Sequence, residues 1–490
     1  MLQQPNIPTD VTRVTSTLKQ AGFEAYLVGG CVRDLLLGKE PKDWDVTTNA
    51  HPDQIQALYP ETYYNNTFGT VGVVNEDTNN PKLKVIEITP YRKEGVYTDA
   101  RRPDTVEFGV SLEEDLARRD FTVNAIAIDP DKGHTVDPYK GHDDIEAKLL
   151  RAVGDPDERF KEDALRMLRA IRLGAELGFA IEQSTFEGIA KNAQLLKKIS
   201  KERIRDELVR TIMSERPMEA LLHMKRAGLL TYVLPDLERG MGIEQNQAHS
   251  YTVFEHLLRA LQHAADKGWP LEVRLAALLH DVSKPESRRK SDKNGDWTFY
   301  GHEVVGSRVT RKLLHELRFP KETVEKVVKM VRWHMFFSDP DKISLSAVRR
   351  MIANVGQENI WDLLNVRICD RIGSGRPKEQ PFRFRKYKSM VEEALRDPVT
   401  VGMLKINGAR VMQVTHESAG PRIGSILHAL LEEVLDDPSK NNENYLEKRA
   451  AELASIPDVE LANMGKRGKD RREQQEADEV ALLRKKHHVT

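Results

Sequence analysis

The sequence predicts an α/β head with a small mixed sheet over residues 1–150, followed by an all-α remainder. Three observations carry this prediction. Short apolar runs with strand-type alternation and glycine turns are confined to the first part: AYLV at 25–28, TFGTVGVV at 67–74 and KVIEIT at 84–89. Helical periodicity takes over at KEDALRMLRAIRLGAEL, 161–177, and from about Glu238 the helical stretches are punctuated by histidines. With 31% charged and only 6% aromatic residues, the composition suits a helix-rich protein. The 490 residues allow about three domains. The pattern changes divide them into 1–150, 151–237, 238–375, 376–464 and a mixed-charge tail, 465–490.

The bulk numbers exclude several classes. Lys+Arg of 75 against Asp+Glu of 76 leaves a net charge of −1, so any RNA site must come from local basic clusters. No apolar run reaches membrane-spanning length, which argues against a membrane partner, and MLQQPNIPTD lacks the features of a signal peptide. A cytoplasmic location is the expectation. Cys31 and Cys369 offer neither a disulfide framework nor a thiolate zinc site and are expected to be small buried residues.

The first element, an amphipathic helix over 8–22, leads into LVGGCVRDLLLGKEPKDWDVTT, 27–48. Gly29 and Gly30 permit a tight turn and close approach to a phosphate. Arg33 and Asp34 are expected to open a short helix whose amides face an anion. Asp43 and Asp45 alternate along a second strand, so both carboxylates point to one face, a pairing that suits Mg²⁺. Glu87, in the 84–89 strand, is either a third carboxylate for that site or a cross-strand partner for Arg92. Next, the polar stretch 92–108, RKEGVYTDARRPDTVEF, has no clear periodicity and reads as a surface loop. In LEEDLARRDFTVNAIAI, 112–128, Arg118, Arg119, Asp120 and Asn124 cluster at one expected helix start.

Together these motifs resemble the head of class II tRNA nucleotidyltransferases and bacterial poly(A) polymerases. The resemblance implies a polymerase β-like fold in which Asp43 and Asp45 are catalytic and hold Mg²⁺. It further implies that Gly29, Gly30, Arg33, Asp34, Arg119, Asp120 and Asn124 bind the nucleotide, with Arg119 as cationic clamp. Asp120 and Asn124 are suited to orient a sugar hydroxyl. The 92–108 stretch is similar to the loop that switches full CCA-adding enzymes from CTP to ATP and that CC-adding relatives lack. The implied partners are CTP, ATP and the 3′ end of tRNA; A-only addition or poly(A) synthesis remains an alternative, and oligomeric state is left open.

In 161–177, Asp163, Arg166, Arg169 and Arg172 recur every third residue. On the Watson–Crick edge, cytosine and adenine both present an exocyclic amino donor beside a ring-nitrogen acceptor. A carboxylate next to an arginine complements them and leaves uracil and guanine with acceptor facing acceptor and donor facing donor. Asp163 and Arg166 have that chemistry, and they match the EDxxR motif that serves as amino-acid template in the resembled family. Arg169 and Arg172 match further nucleotide-contacting positions. KERIRDELVR, 201–210, resembles a bracing motif in which Glu202 and Arg205 support the template helix.

A second constellation follows, in the order His256, His280-Asp281, His302, His334 and Asp370. Imidazole with carboxylate suits Ni, Mn, Fe or Zn. The stretch resembles an HD phosphohydrolase domain, which implies one metal on His256, His280, Asp281 and Asp370, a second on His302 and His334, and a phosphate-facing Lys284. Hydrolysis of phosphomonoesters or cyclic phosphodiesters is the implied activity, and a metal-dependent phosphohydrolase with a merely nucleotide-binding head is the rival class. The last helices resemble a tRNA-holding body, with Arg410 and Arg422 as candidate phosphate contacts.

Overall fold

The structure is a computed structural model that describes residues 7–65, 69–95, 105–245, 250–291, 296–336, 342–461 and 464. It divides into two units between Pro235 and Asp236. The charged tail lies outside the described residues, as does most of the 92–108 loop.

The first unit runs α1 (Thr9–Gln20), β1 (Tyr26–Val28), α2 (Gly30–Leu36), β2 (Asp45–Thr48), α3 (Pro52–Leu58), β3 (Thr62–Asn65), β4 (Thr70–Val74), β5 (Val85–Pro90), β6 (Arg92–Glu94), β7 (Val106–Phe108), α4 (Leu112–Ala117), β8 (Ala127–Ile128) and β9 (Thr135–Val136). The seven-stranded sheet has the order β3-β4-β5-β2-β1-β8-β9. It is mixed: β2 and β5 run parallel, and the other neighbours run antiparallel. Val46 and Ile88 are fully buried, whereas their alternates Asp45 and Glu87 are not, so one face packs the core and the other carries charge. Both cysteines are buried and free, and burial with the Asp45 and Asp43 charges pushes the Cys31 thiol up to about 12.

Three expected boundaries are corrected. α2 opens at Gly30, so Arg33 and Asp34 stand in its middle rather than at its start. Asp43 precedes β2, which begins at Asp45, yet Trp44 between them is buried and the two carboxylates still share a side. Arg118 to Asn124 follow the end of α4 and enter a 3₁₀ turn, Thr122–Asn124, instead of starting a helix.

After α5 (Gly141–Glu146) come α6 (Pro156–Glu162), α7 (Leu165–Leu177), α8 (Gln183–Asn192), α9 (Lys201–Met213) and α10 (Pro217–Arg226). The single helix expected over 161–177 is therefore broken. Asp163 adopts an extended backbone after α6, and its side chain accepts from the Leu165 amide at 3.0 Å, the local competition that makes Asp a helix starter. α7 and α9 are joined by the buried Arg172, whose Nε donates to Glu207 at 2.8 Å and whose Nη1 donates to Glu176 at 2.7 Å.

Among its described residues, the second unit is helical apart from a short pairing of Arg289–Lys290 with Trp297–Thr298. Helices Val253–Asp266, Leu271–Leu279 and Ile360–Gly373 pack together around small residues, Ala260, Ala264, Ala277 and Cys369. None of the described helices is long and apolar enough to cross a membrane.

The Arg172–Glu207 pair sets a stability test. Glu207→Ala leaves a buried guanidinium short of a carboxylate and is expected to cost about 3 kcal/mol in urea unfolding. The double change Arg172→Met with Glu207→Leu is expected to cost less than the single one.

Candidate functional site

The head site is built where β1 ends. Gly29 has φ 77° and ψ −141°, a conformation open essentially to glycine alone. A Cβ there would stand 3.2 Å from Asp45 Oδ2 and 3.4 Å from Arg119 Nη1, so loss of the side chain lets the turn, the carboxylate and the guanidinium converge. Burial, then the neighbouring Asp43 charge, pushes Asp45 up to about 6, with Glu87 adding to the effect and Arg119 and Arg169 opposing it. Glu87 is the register partner of Asp45 across β2 and β5. Arg92 meanwhile pairs with Glu94. A crowd of carboxylates that holds a proton to this degree fits a hard divalent cation, whose binding replaces that proton.

Arg119 is fixed from behind by Asp115, a residue not singled out in the sequence. Fully buried, Asp115 accepts from Arg118 Nη2 at 2.6 Å, Arg119 Nη2 at 3.2 Å, the Thr47 hydroxyl at 3.3 Å and the Arg92 amide at 3.4 Å. Burial opposes its charge, but Arg119 and Arg118 outweigh it and hold the carboxyl below its usual range. Nε of Arg119 is buried with no hydrogen-bond partner among the described residues, an unspent donor suited to an anion.

A continuous chain ties the other nucleotide candidates together. Arg33, paired with Asp34, donates from Nη1 to Asn124 Oδ1 at 2.8 Å. Asn124 Nδ2 donates to Asp120 Oδ1 at 3.1 Å, and Arg169 Nη2 to Asp120 Oδ2 at 2.9 Å. Despite burial, Arg169 and Asn124 hold Asp120 down at about 2. Its oxygens are thus engaged by protein, as an orienting group for Arg169. Arg166 donates to Glu162 at 2.6 Å and to the Arg118 carbonyl at 3.0 Å, and Asp163 accepts from Arg203 at 2.9 Å.

Arg172 does not join this group, being spent on Glu176 and Glu207. From α9, Arg203 holds Asp163 just before α7 and Glu207 holds Arg172 within it; of the expected pair Glu202 and Arg205, Arg205 bonds Asp206. Arg410 and Arg422 are likewise engaged, Arg410 with Glu447 at 2.6 Å and Arg422 with Glu417 at 3.0 Å and Asp458. The base of the 92–108 loop is a hairpin, β6 with β7, closed by Gly95 donating to the Thr105 carbonyl at 2.9 Å.

In the second unit all six expected ligands meet. His256, His280, Asp281 and Asp370 form one buried group, and Asp281, His302 and His334 form another, each with ligand atoms within 4.8 Å of one another. Asp281 serves both: Oδ2 is 3.1 Å from His256 Nε2 and 3.3 Å from His280 Nε2, while Oδ1 is 3.0 Å from His302 Nε2 and 3.5 Å from His334 Nε2. Nδ1 of His280, His302 and His334 lies 2.6–2.9 Å from the carbonyl three residues earlier, which places the proton on Nδ1 and turns the Nε2 lone pair inward. Burial takes His334 down to about 4; for His280 the Asp281 and Asp370 charges overcome burial and raise it to about 9. Nε2 atoms of His256 and His280 only 2.9 Å apart, with Asp281 Oδ1 buried and lacking a hydrogen bond, fit metal ions. Lys284 pairs with Asp281 at 2.6 Å and with Gln245 at 2.7 Å, so it faces the carboxylate here.

Residues 25–151 match the Poly A polymerase head domain, 178–241 the probable RNA and SrmB-binding site of polymerase A, and 253–371 the HD domain. A CCA-adding enzyme of Geobacillus stearothermophilus is 32% identical over 435 residues, covering 88% of this chain and 94% of that protein. A CC-adding tRNA nucleotidyltransferase of Thermus thermophilus is 34% identical, covering 84% and 89%. With six other CCA-adding enzymes the matched stretch spans 53–62% of the relative's length. The crystal structure of a Bacillus stearothermophilus CCA-adding enzyme in complex with CTP superposes with a TM-score of 0.67 at 28% identity, covering 91% of this chain and 98% of that one.

The raised Asp45 carboxyl has a measurable sign. Its folded value of about 6 exceeds the ordinary carboxylate value of 3.8, so its stabilising contribution is present below about 4 and lost as pH rises to about 6. With EDTA at neutral pH, Asp45→Asn is expected to stabilise the protein by about 1–3 kcal/mol. Added Mg²⁺ is expected to raise the melting temperature of the wild type and not of the variant.

Proposed function

The chain belongs to the family of CCA-adding enzymes and tRNA nucleotidyltransferases, and from that premise we propose that it adds CMP and AMP, from CTP and ATP, to the 3′ end of tRNA without a nucleic-acid template. The convergence of Gly29, Arg119 and Asp45, with Asp43 and Glu87 beside them, carries this reading. Asp43 and Asp45 would hold Mg²⁺, with Glu87 as the third carboxylate. Bound there, the metal supplies the positive charge that favours ionisation of the RNA 3′-OH and departure of pyrophosphate. Arg119 neutralises triphosphate charge, Gly29 and Gly30 admit the phosphates without Cβ interference, and Arg33 is held in place by Asp34 and Asn124.

Asp163 and Arg166 select the base. Their places beside the α6–α7 break set a carboxylate and a guanidinium near the Asp120–Arg169 pair, and base recognition requires each to exchange a protein partner for the base edge. The hairpin that carries the 92–108 stretch supports full CCA addition over CC addition, since the resembled CC-adding relatives lack that loop. The division into head, neck (151–237), HD domain (238–375) and tRNA-holding body (376–464) belongs to the same proposal, with Arg410 and Arg422 anchoring body helices instead of contacting phosphate.

A second activity is favoured by the two buried ligand groups that share Asp281. His256, His280, Asp281 and Asp370 would hold one transition metal (Ni, Mn, Fe or Zn), and His302 and His334 a second with Asp281. Such a pair supplies a polarised phosphate and a hydroxide at neutral pH, which suits hydrolysis of phosphomonoesters or cyclic phosphodiesters.

Single labelled nucleotides offered with tRNA ending before CCA, tRNA ending in CC and an unrelated RNA test the first reading. CTP is expected to label the first, ATP the second, and neither the third; labelling of all three by ATP alone would make it a poly(A) polymerase. Asp43→Ala should abolish incorporation and His280→Ala should retain it. Asp163→Ala and Arg166→Ala should relax selection against UTP and GTP by about tenfold or more, because the mismatched base no longer meets an opposed polar group. Metal analysis should find two ions per HD domain in the wild type and one in His334→Ala. Loss of cyclic-phosphate hydrolysis in His280→Ala should accompany loss of metal.

A further inference from the structure

One transverse row of the sheet joins the carboxylates to an aromatic residue with no role in the reading above. Register pairs Asp45 with Glu87, Glu87 with Gly72, and Gly72 with Tyr63, so all four positions lie on one face along a line from β2 to the edge strand β3. The next row, Val46, Ile88, Val71 and Tyr64, belongs to the other face, and its first three members are fully buried. Gly72 is the position that matters. A Cβ on it would stand 2.2 Å from Cε1 and Cζ of Tyr63 and 2.7 Å from its hydroxyl, so the ring lies down across the glycine and points along the row toward Glu87. Any other residue at 72 would lift it. Tyr63 is 45% exposed, and burial together with the Glu87 charge raises its phenol. Two strand spacings, about 10 Å, separate Gly72 from Asp45.

The topology gives this ring a side. Gly29 follows β1 with Arg119 beside it, and Asn124, which precedes β8, binds Arg33 and, through Asp120, Arg169, so these groups lie toward β1 and β8 on one flank of Asp45; Tyr63 lies on the other flank, beyond β5 and β4. Nucleotidyl transfer needs the attacking 3′-OH opposite the leaving pyrophosphate. With the triphosphate toward β1 and β8, the RNA end must approach over β5, β4 and β3. A flat, half-exposed phenol ring there offers a π face within a nucleotide's reach of the carboxylates, and bases stack on such rings without regard to sequence.

We infer that Tyr63 is the stacking platform for the base at the 3′ end of the RNA acceptor, seated there by the missing side chain at Gly72. The inference rests on the head being a nucleotidyltransferase that extends RNA, and it adds which residue receives the acceptor. Sequence-tolerant stacking suits an enzyme whose acceptor end changes with each nucleotide added.

Steady-state kinetics with a tRNA acceptor ending before CCA test it, using wild type, Tyr63→Ala and Tyr63→Phe, each with an intact and an abasic 3′-terminal nucleotide. Tyr63→Ala is expected to raise the acceptor KM about tenfold, with the CTP KM within twofold of wild type and Tyr63→Phe close to wild type. The abasic acceptor should cost the wild type a similar factor and cost Tyr63→Ala nothing further. An unchanged acceptor KM in Tyr63→Ala, an equal rise in the CTP KM, or an abasic penalty as large in Tyr63→Ala as in wild type would overturn the inference. Absence of incorporation by the wild type would instead strike at nucleotidyl transfer itself, before any variant is compared.

Discussion

The buried carboxylate of Asp115 is the contact on which the head site depends. It takes the Thr47 hydroxyl from β2, the Arg92 amide from β6 and the guanidinium groups of Arg118 and Arg119, and so joins the sheet to the segment that follows α4. Without a fixed cation, the crowding of Asp43, Asp45 and Glu87 on one face would be worse still. Arg119 is the largest offsetting charge on Asp45, and it can lie that close only because Gly29 has no side chain. The Asp115–Arg119 ion pair therefore sets both the charge balance beside Asp45 and the position of the guanidinium next to Gly29. The balance is deliberately incomplete, since Asp45 still holds its proton to about 6, and that residual repulsion is what favours a divalent cation over none.

The residues proposed for base choice are separated from this centre by one hydrogen-bond relay. Arg33, Asn124, Asp120 and Arg169 connect α2 to α7, with one neutral amide between the charged groups of Arg33 and the Asp120–Arg169 pair. Both Asp120 oxygens are taken by protein groups, one by Asn124 and the other by Arg169. Further along, the break between α6 and α7 frees Asp163 from helical backbone geometry, while Arg166 stays in the first turn of α7. A continuous helix would fix the two at a single separation. With the break, the carboxylate and the guanidinium sit on different elements, each with its own brace, Arg203 for one and Glu162 for the other.

Much of this was legible in the chain because spacing within one element fixes where side chains point. Gly29 and the alternation of Asp43 with Asp45 fall in that class, whereas the six histidine and aspartate ligands sit on or at the ends of separate helices and were legible from their order and residue types. The misreadings share a different cause. Residues three apart on a helix fall behind by about 60° per step at 3.6 residues per turn, so the stripe from Arg166 to Arg172 turns by about 120° and carries Arg172 into the interface with α9. Asp115, Arg203, Glu207 and Tyr63 were missed because their partners are distant in sequence: Asp115 meets Thr47 across 68 positions and Arg203 meets Asp163 across 40. Strand register, which aligns Tyr63 with Gly72 and Glu87, is not encoded in either strand alone.

The two ligand sets of the chain also differ in kind. In the head, the donors are carboxylate oxygens on a sheet face where Asp43 and Glu87 are exposed, which suits a hard cation. In the HD domain, imidazole Nε2 atoms are aimed by backbone carbonyls into a pocket where every ligand is buried, and Asp281 offers one oxygen to each group. Preorganised nitrogen donors favour transition metals by the ordinary affinity order, whereas Mg²⁺ competes poorly for them. Under the proposed assignments, donor type alone would keep the two metal chemistries of one polypeptide apart.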